Sequence, residues 1–395
     1  MKVYLIAGEP SGDKLGGALM EGLRQIDPDV QFQGVGGPLM EAQGMVSLFP
    51  MEELSVMGLA EVLPKLRGLF RRRDETVEDI IGSGADVVVT IDSPDFCLRV
   101  LRKLRTISQV PTVHYVAPSV WAWRPKRTER MIGIVDHVMA LLPFEPPYME
   151  RAGLPCDFVG HPVVAEPLAD IDDASAFRMA HGLGDAPVVL ALPGSRKGEV
   201  SRLIGVFGES LHKLAAERPD IRVVVPAAAP VAAMVHQQVK GWPGEPVVLD
   251  PRGMDPDIAL AEKRAAFAVA DVALAASGTV SLELAANTVP MVIAYDMNWF
   301  SRIMIRSMLQ IDTVTLVNLV SETRTVPEFL GEACKPDDIA RALDLVLQPG
   351  PERSAQAAAA EITMERLGRG DEPPGLRAAK VVARVSGVRP VANGV

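Results

Sequence analysis

The chain has little that would tie it to nucleic acid, to a disulfide framework or to a bilayer-spanning fold. Its 395 residues carry a formal net charge of −10, with 40 Lys and Arg against 50 Asp and Glu. General nucleic-acid binding relies on many clustered cations that displace counterions from phosphates, so no nucleic-acid partner is expected. Only three cysteines occur, Cys97, Cys156 and Cys334, far apart and odd in number. They read as ordinary thiols in a reducing compartment, not as disulfides or a zinc cluster. No apolar run reaches the roughly 18 residues that a membrane-crossing helix needs. The opening Met1–Gly8 is apolar too briefly to read as a signal peptide. Aromatics are scarce at 5%, which leaves a core of Ala, Val and Leu, the kind that parallel sheets bury beneath helices. What is present is a globular composition, 48% hydrophobic and 23% charged, at a length of about two domains of ~150 residues each.

Short apolar runs alternate with longer segments of helical spacing. Strands are expected at Lys2–Gly8, Gln31–Gly36, Asp86–Asp92, Thr112–Ala117, His137–Leu142 and Asp157–Gly160, with helical patterns such as Asp13–Gln25 and Glu75–Ile81 between them. The pattern restarts beyond Leu168 with Val188–Pro193, Arg222–Pro226, Val247–Asp250, Val272–Ala275 and Met291–Tyr295. Such alternation predicts parallel strands joined by helical crossovers. The fold class is therefore α/β, with two Rossmann-type parallel-sheet domains, 1–168 and 169–348, facing across a cleft. Residues 349–395 read as a helical tail, Ser354–Arg366 and Gly375–Val385, that packs back on the first domain or on a partner chain.

In open α/β sheets ligands sit beyond the carboxyl ends of the strands. Four strand-to-helix turns are rich in chemistry there. The first is Gly8-Glu-Pro-Ser-Gly-Asp13, whose amides at Ser11 and Gly12 suit an anion or a sugar. The same residues also read as a tight turn with Ser11 or Asp13 as the N-cap. Neither G-x-G-x-x-G nor G-x-x-x-x-G-K-[ST] occurs, which argues against nicotinamide and ATP. The second, Thr90-Ile-Asp92-Ser-Pro-Asp95, places a carboxylate where a general base belongs. Asp92 is the candidate base, with a capping or supporting role as the alternative; Asp95 suits a cap better. In the second domain, Leu192-Pro-Gly194-Ser195-Arg196 is a Gly/Ser turn holding a forked, permanently charged donor for phosphate oxygens. The fourth, Ser277-Gly278-Thr279, starts a helix whose amides and hydroxyls suit a diphosphate, and Glu283 one turn on suits ribose hydroxyls. Singly, each reads equally as a cap or a solvated face. At corresponding turns of one domain, they point to a nucleotide diphosphate.

The six histidines form no H-E-x-x-H, and no G-x-S-x-G is present, so zinc-hydrolase and α/β-hydrolase chemistry fall away. His114 and His161 read as structural, and the Asp-x-Asp pairs lie in polar connections. No metal and no cofactor is expected.

Leu54–Arg73 combines Val56, Met57, Leu59, Leu63, Leu66, Leu69 and Phe70 with Lys65, Arg67, Arg71, Arg72 and Arg73. Such a segment suits a lipid interface, apolar side chains inward and cations on anionic headgroups. Trp121 and Trp123, beside Arg124, Lys126 and Arg127, suit an interface as well. The alternative is a core-packed helix with a charged outer face.

A set of motifs then carries a resemblance. Gly8-Glu-Pro-Ser-Gly-Asp13, Glu52-Glu-Leu-Ser-Val-Met-Gly58, Ile91-Asp-Ser-Pro-Asp-Phe96, His114-Tyr-Val-Ala-Pro-Ser-Val-Trp-Ala-Trp-Arg124, Leu142-Pro-Phe-Glu145, Phe158-Val-Gly-His-Pro162, Leu192-Pro-Gly-Ser-Arg196 and Ala276-Ser-Gly-Thr279 resemble the lipid-A-disaccharide synthases, in order over about residues 1–345. The resemblance implies a GT-B fold and an inverting, metal-independent glycosyltransferase. Its donor would be UDP-2,3-diacylglucosamine and its acceptor 2,3-diacylglucosamine 1-phosphate (lipid X), giving a β-1,6 disaccharide and UDP. It also implies a cytoplasmic protein, peripheral on the anionic inner-membrane surface, and it strengthens the membrane reading of Leu54–Arg73. Asp92 matches the family's proposed base and Arg196 its diphosphate-contacting arginine. Gly331 stands where the pattern leads one to expect Gln, so no side-chain contact is assigned to it. Two rivals are a UDP-sugar 2-epimerase of the same fold and a non-catalytic lipid-surface adaptor. A homodimer, with the alanine-rich tail as exchange element, is the remaining partner expected.

Overall fold

The computed structural model describes residues 1–54, 59–121, 125–296 and 312–388, with side chains for all of these except 59–66 and 125–127. Two units divide the chain, Met1–Ala165 with Leu367–Val395, and Glu166–Arg366.

In the first unit β1 (Lys2–Ala7), α1 (Pro10–Ile26), β2 (Gln31–Val35), α2 (Pro38–Ala42), α3 (Leu59–Ser83), β3 (Val87–Ile91), α4 (Pro94–Leu104), β4 (Thr112–Tyr115), β5 (His137–Ala140), α5 (Pro146–Arg151) and β6 (Cys156–Phe158) follow in order. The strands form one parallel sheet in the order β2-β1-β3-β4-β5-β6. β3, Val-Val-Val-Thr-Ile, is buried along its whole length. A near-continuous apolar run, broken here only by Thr90, is what helices on both faces require of a strand.

The second unit repeats the plan with α6 (Ile171–Ala180), β7 (Val188–Leu192), α7 (Lys197–Glu217), β8 (Arg222–Pro226), α8 (Ala232–Gln238), β9 (Val247–Leu249), α9 (Pro256–Ala268), β10 (Val272–Ala275), α10 (Val280–Ala286), β11 (Met291–Tyr295), α11 (Leu316–Ser321), β12 (Glu328–Leu330), α12 (Pro336–Leu347) and α13 (Pro351–Arg366). Its parallel sheet runs β12-β11-β10-β7-β8-β9. β12, three half-buried residues at the sheet edge, has no counterpart among the expected strands.

The tail does not act as one element. α13 stays with the second unit, where the Gln356 amide grips the β11 backbone from both sides: Met291 N–H donates to Oε1 at 2.8 Å, and Nε2 donates to the Met291 carbonyl at 3.1 Å. The last helix, α14 (Pro374–Ser386), returns to the first unit and buries Ala378, Ala379 and Val382 among Val3, Leu5 and Leu19. Glycine makes that return possible. A methyl on Gly22 of α1 would lie 2.6 Å from the Gly375 carbonyl oxygen, so the two backbones touch.

Candidate active site

Each sheet reverses its strand order once. In the first unit the chain leaves β1 for β2 on one side and later adds β3 on the other. In the second, β8 and β9 extend from one side of β7 while β10 sits on the other. The crevice beyond the carboxyl ends at such a switch point is the ligand site of open α/β sheets. The four turns singled out from the sequence are the four that follow β1, β3, β7 and β10.

Beyond β1 and β3, the backbone is strained. Asp92 and Ser93 both adopt left-handed φ, +50° and +42°, and Val116 after β4 reaches +86°. Non-glycine residues in this region cost of order 1–3 kcal/mol each, and such strain clusters where function over-determines the geometry. The corner is held by the Asp92 N–H donating to the Tyr115 carbonyl at 2.9 Å and the Val116 N–H donating to the Met139 carbonyl at 2.9 Å. Asp92 is half-buried, and among the described residues no hydrogen bond or ion pair engages its carboxylate. Asp95 is exposed in the first turn of α4. The glycine turn reaches this corner from β1, since a methyl on Gly8 would lie 2.6 Å from Ser93 Oγ. Gly12 brings the start of α1 against β3, where a methyl would meet the Ile91 carbonyl at 3.3 Å.

Neither expected cap is found on α1. Ser11 is exposed in its first turn, and the N-cap position is Glu9, without a side-chain cap. Asp13 caps another helix instead: its buried carboxylate accepts from the N–H groups of Gly37, Leu39 and Met40 at 2.9–3.0 Å, which satisfies the start of α2. His114 is buried and His161 half-buried. Burial drives both down to about 4, Lys14 adding to the effect on His161, and Thr90 Oγ1 lies 2.8 Å from His114 Nδ1.

The second unit's turns open on a cavity of about 750 Å³. Gly194, Ser195, Arg196, Ser277, Gly278, Thr279 and Glu283 all line it. Ser11 and Gly12, also candidates for donor binding, lie in the first unit. Gly194 (φ +118°) and Gly278 (φ +159°) give the turns conformations that side chains rarely adopt. Residues the sequence reading passed over complete the lining. Glu199 accepts the Ser195 N–H at 3.1 Å and braces the first turn. Lys263 of α9 pairs with Glu283 Oε2 at 2.5 Å. Asp250 is held down at about 2 by the forked guanidinium of Arg252. Leu249, Pro251, Met254, Pro256 and Ala259 form an apolar wall. No short motif announces Lys263, which stands in mid-helix. Among the described residues no cluster of three His, Cys, Asp or Glu is placed to hold a metal ion.

The membrane segment needs correction. Val56, Met57 and Trp123 lie outside the described residues, and the side chains of Leu59, Leu63 and Leu66 are likewise not described. Trp121 is an inner residue, 7% exposed, with its Nε1–H on Glu145 Oε1 at 3.1 Å and its ring edge-on to Phe144 at 5.1 Å. It offers no face to a lipid surface. Arg72 is committed within the fold, donating through Nε and Nη2 to both oxygens of Glu53 at 2.8 and 2.6 Å and through Nη1 to Glu75 at 2.8 Å, over the Phe49 ring. Arg73 bonds Asp74. What faces outward is Phe70, 41% exposed between the Arg73 and Arg99 guanidiniums, with Arg67 and Arg71 exposed nearby on α3, while Leu69 is partly buried against the core. Among the described residues no helix is long and apolar enough to cross a membrane.

Residues 3–370 match the family described as LpxB, lipid-A-disaccharide synthetase. The lipid-A-disaccharide synthase of Ruegeria pomeroyi is 62% identical over 382 residues, 97% of this chain and 94% of that one. That of Rhodospirillum centenum is 47% identical over 99% of this chain and 96% of its own. Among solved structures, UDP-GlcNAc 2-epimerase from Neisseria meningitidis bound to UDP-GlcNAc aligns with a TM-score of 0.63 at 13% identity, covering 97% of this chain and 99% of that one. A Staphylococcus aureus MnaA–UDP structure gives 0.66 at 14%, covering 97% and 95%. These last likenesses establish the GT-B-like α/β fold.

Proposed function

The chain belongs to the lipid-A-disaccharide synthase family, and from that premise we propose that it transfers 2,3-diacylglucosamine from its UDP donor to the 6-hydroxyl of lipid X, with inversion, releasing UDP. The observation that carries the reading is the placement of all four chemistry-bearing turns at the two switch points. The 750 Å³ cavity takes the uridine diphosphate, with Gly194–Arg196 and Ser277–Thr279 on the phosphates and Glu283 on the ribose.

The reaction is a single displacement. Asp92, whose carboxylate is unengaged within the described fold, takes the proton of the acceptor hydroxyl as its oxygen attacks the anomeric carbon. Electron density moves onto the departing diphosphate. Arg196 and the amides that open α10 stabilise that charge, the usual source of the largest gain in such sites. Because these fixed donors carry the leaving-group charge, the enzyme is metal-independent, and full turnover in excess EDTA is the expected result.

The acylated substrates place the work at the cytoplasmic face of the inner membrane. Phe70 enters the interface there, with Arg67, Arg71 and Arg99 on anionic headgroups. A second copy of the chain is the remaining partner, with α14 as the exchangeable element; light scattering at the monomer mass would remove it.

The deciding assay measures UDP formation from UDP-2,3-diacylglucosamine with and without lipid X. Release only when lipid X is present supports the transferase. Conversion of UDP-N-acetylglucosamine without any acceptor would replace it with an epimerase, a reading that the family membership does not favour.

A further inference from the structure

The cavity of the second unit has a charge problem for an anionic ligand. Its lining holds four carboxylates, Glu199, Asp250, Glu262 and Glu283, and two cations, Arg196 and Lys263. Three of those carboxylates have specific partners: Ser195 N–H for Glu199, Arg252 for Asp250 and Lys263 for Glu283. The last pair joins two helices. Lys263 reaches from α9, its ammonium 5.4 Å from the Phe267 ring centroid, and takes Oε2 of Glu283 on α10. Among the described residues no hydrogen bond engages the other oxygen, Oε1. Glu283 itself stands one helical turn past Thr279, next to the amides that would receive phosphate.

We propose that Lys263 is a positioning residue of the nucleotide site, fixing Glu283 through one oxygen so that the other accepts a ribose hydroxyl, and cancelling a negative charge that would otherwise repel the diphosphate. The inference rests on the reading that this cavity holds a uridine diphosphate. Three physical points support it. An ammonium is a compact charge whose hydrogen bond fixes a carboxylate in one rotamer. An unpaired carboxylate lining the same crevice repels a second anion. A carboxylate with one oxygen committed presents its remaining lone pairs in a defined direction.

Calorimetry on the full-length protein with UDP and with 2′,3′-dideoxy-UDP separates the outcomes. Wild type should bind UDP, and more tightly than the dideoxy compound. Lys263→Met should weaken UDP about 10-fold or more, the scale of one hydrogen bond to a charged group, and should largely erase the preference for the hydroxylated nucleotide. Lys263→Arg should restore both, which shows that the site is folded. Adding Glu283→Gln to Lys263→Met should recover part of the lost UDP affinity, because it removes the charge that Lys263 had cancelled, while the hydroxyl preference stays erased. UDP affinity unchanged in Lys263→Met overturns the inference and leaves the nucleotide site standing. So does weaker binding with the hydroxyl preference intact, since that describes a direct phosphate contact. A wild-type protein with no affinity for UDP removes the nucleotide reading itself, and this inference with it.

Discussion

The Trp121 indole donates its Nε1–H to the buried Glu145 carboxylate at 3.1 Å, across 24 residues of sequence. Glu145 also accepts the Leu142 N–H at 3.0 Å, and burial lifts its pKa to about 7. A carboxyl with a raised folded-state pKa keeps its proton when the unfolded chain has lost it. Its contribution is therefore complete below about 4.5 and is lost as pH rises toward 7. Urea unfolding should show wild-type stability falling across that window, by roughly 3 kcal/mol relative to Glu145→Gln. Parallel curves for the two proteins would mean that Glu145 is ionised throughout.

Asp92→Asn should lower turnover at least ~100-fold while leaving the melting temperature in place. Asparagine tolerates left-handed φ better than other replacements, so the +50° corner should survive. A folded variant with near-normal rate would take Asp92 out of the base role.

Arg196→Ala removes the guanidinium from the phosphate turn. The expected loss is also ~100-fold or more in turnover, corresponding to roughly 2.7–4 kcal/mol in barrier, with weaker UDP binding by calorimetry. Arg196 is exposed, so thermal stability should not change; a variant that keeps its UDP affinity and rate would contradict the assignment.

Membrane attachment and fold stability separate within one basic segment. Phe70→Ser with Arg71→Glu should release the protein from anionic vesicles in flotation, with no shift in melting. Arg72→Ala should do the opposite, costing ~1 kcal/mol of stability because Glu53, Glu75 and Phe49 lose their shared partner. If the first variant still floats with the vesicles, α3 is not the lipid contact.

The seam between α1 and α14 predicts a packing defect. Gly22→Ala presses a methyl to 2.6 Å from the Gly375 carbonyl, and overpacking of this kind costs about 1–3 kcal/mol. The carboxyl-terminal helix should become protease-sensitive. Gly82→Ala, where a methyl meets nothing within 4 Å, is the control and should be neutral or slightly stabilising. Equal behaviour of the two variants would show that the seam has room.

Local sequence determined the strands and the turns that follow them. Val87–Ile91 and Val188–Leu192 are legible because strands covered on both faces are apolar at nearly every position, Thr90 being the one polar residue of the two. Glycines at 194 and 278 and the Ser-Gly-Thr helix start are legible because the turn conformation demands them. β12 escaped notice because three half-buried edge residues carry no such pattern. Tertiary structure alone decided the partners. Asp13 caps α2, 24 to 27 residues away, rather than its own helix. Arg72 faces Glu53 and Trp121 faces Glu145, which ties an apparent membrane cation into an ion pair at the protein surface and turns an apparent interface aromatic into part of the interior. Lys263 and Glu283 stand on helices that β10 separates in the chain, and only the fold brings the two side chains together. Backbone preference acts over a few residues and shows in composition; a side chain's charge partner is set by which crossovers the sheet order brings together.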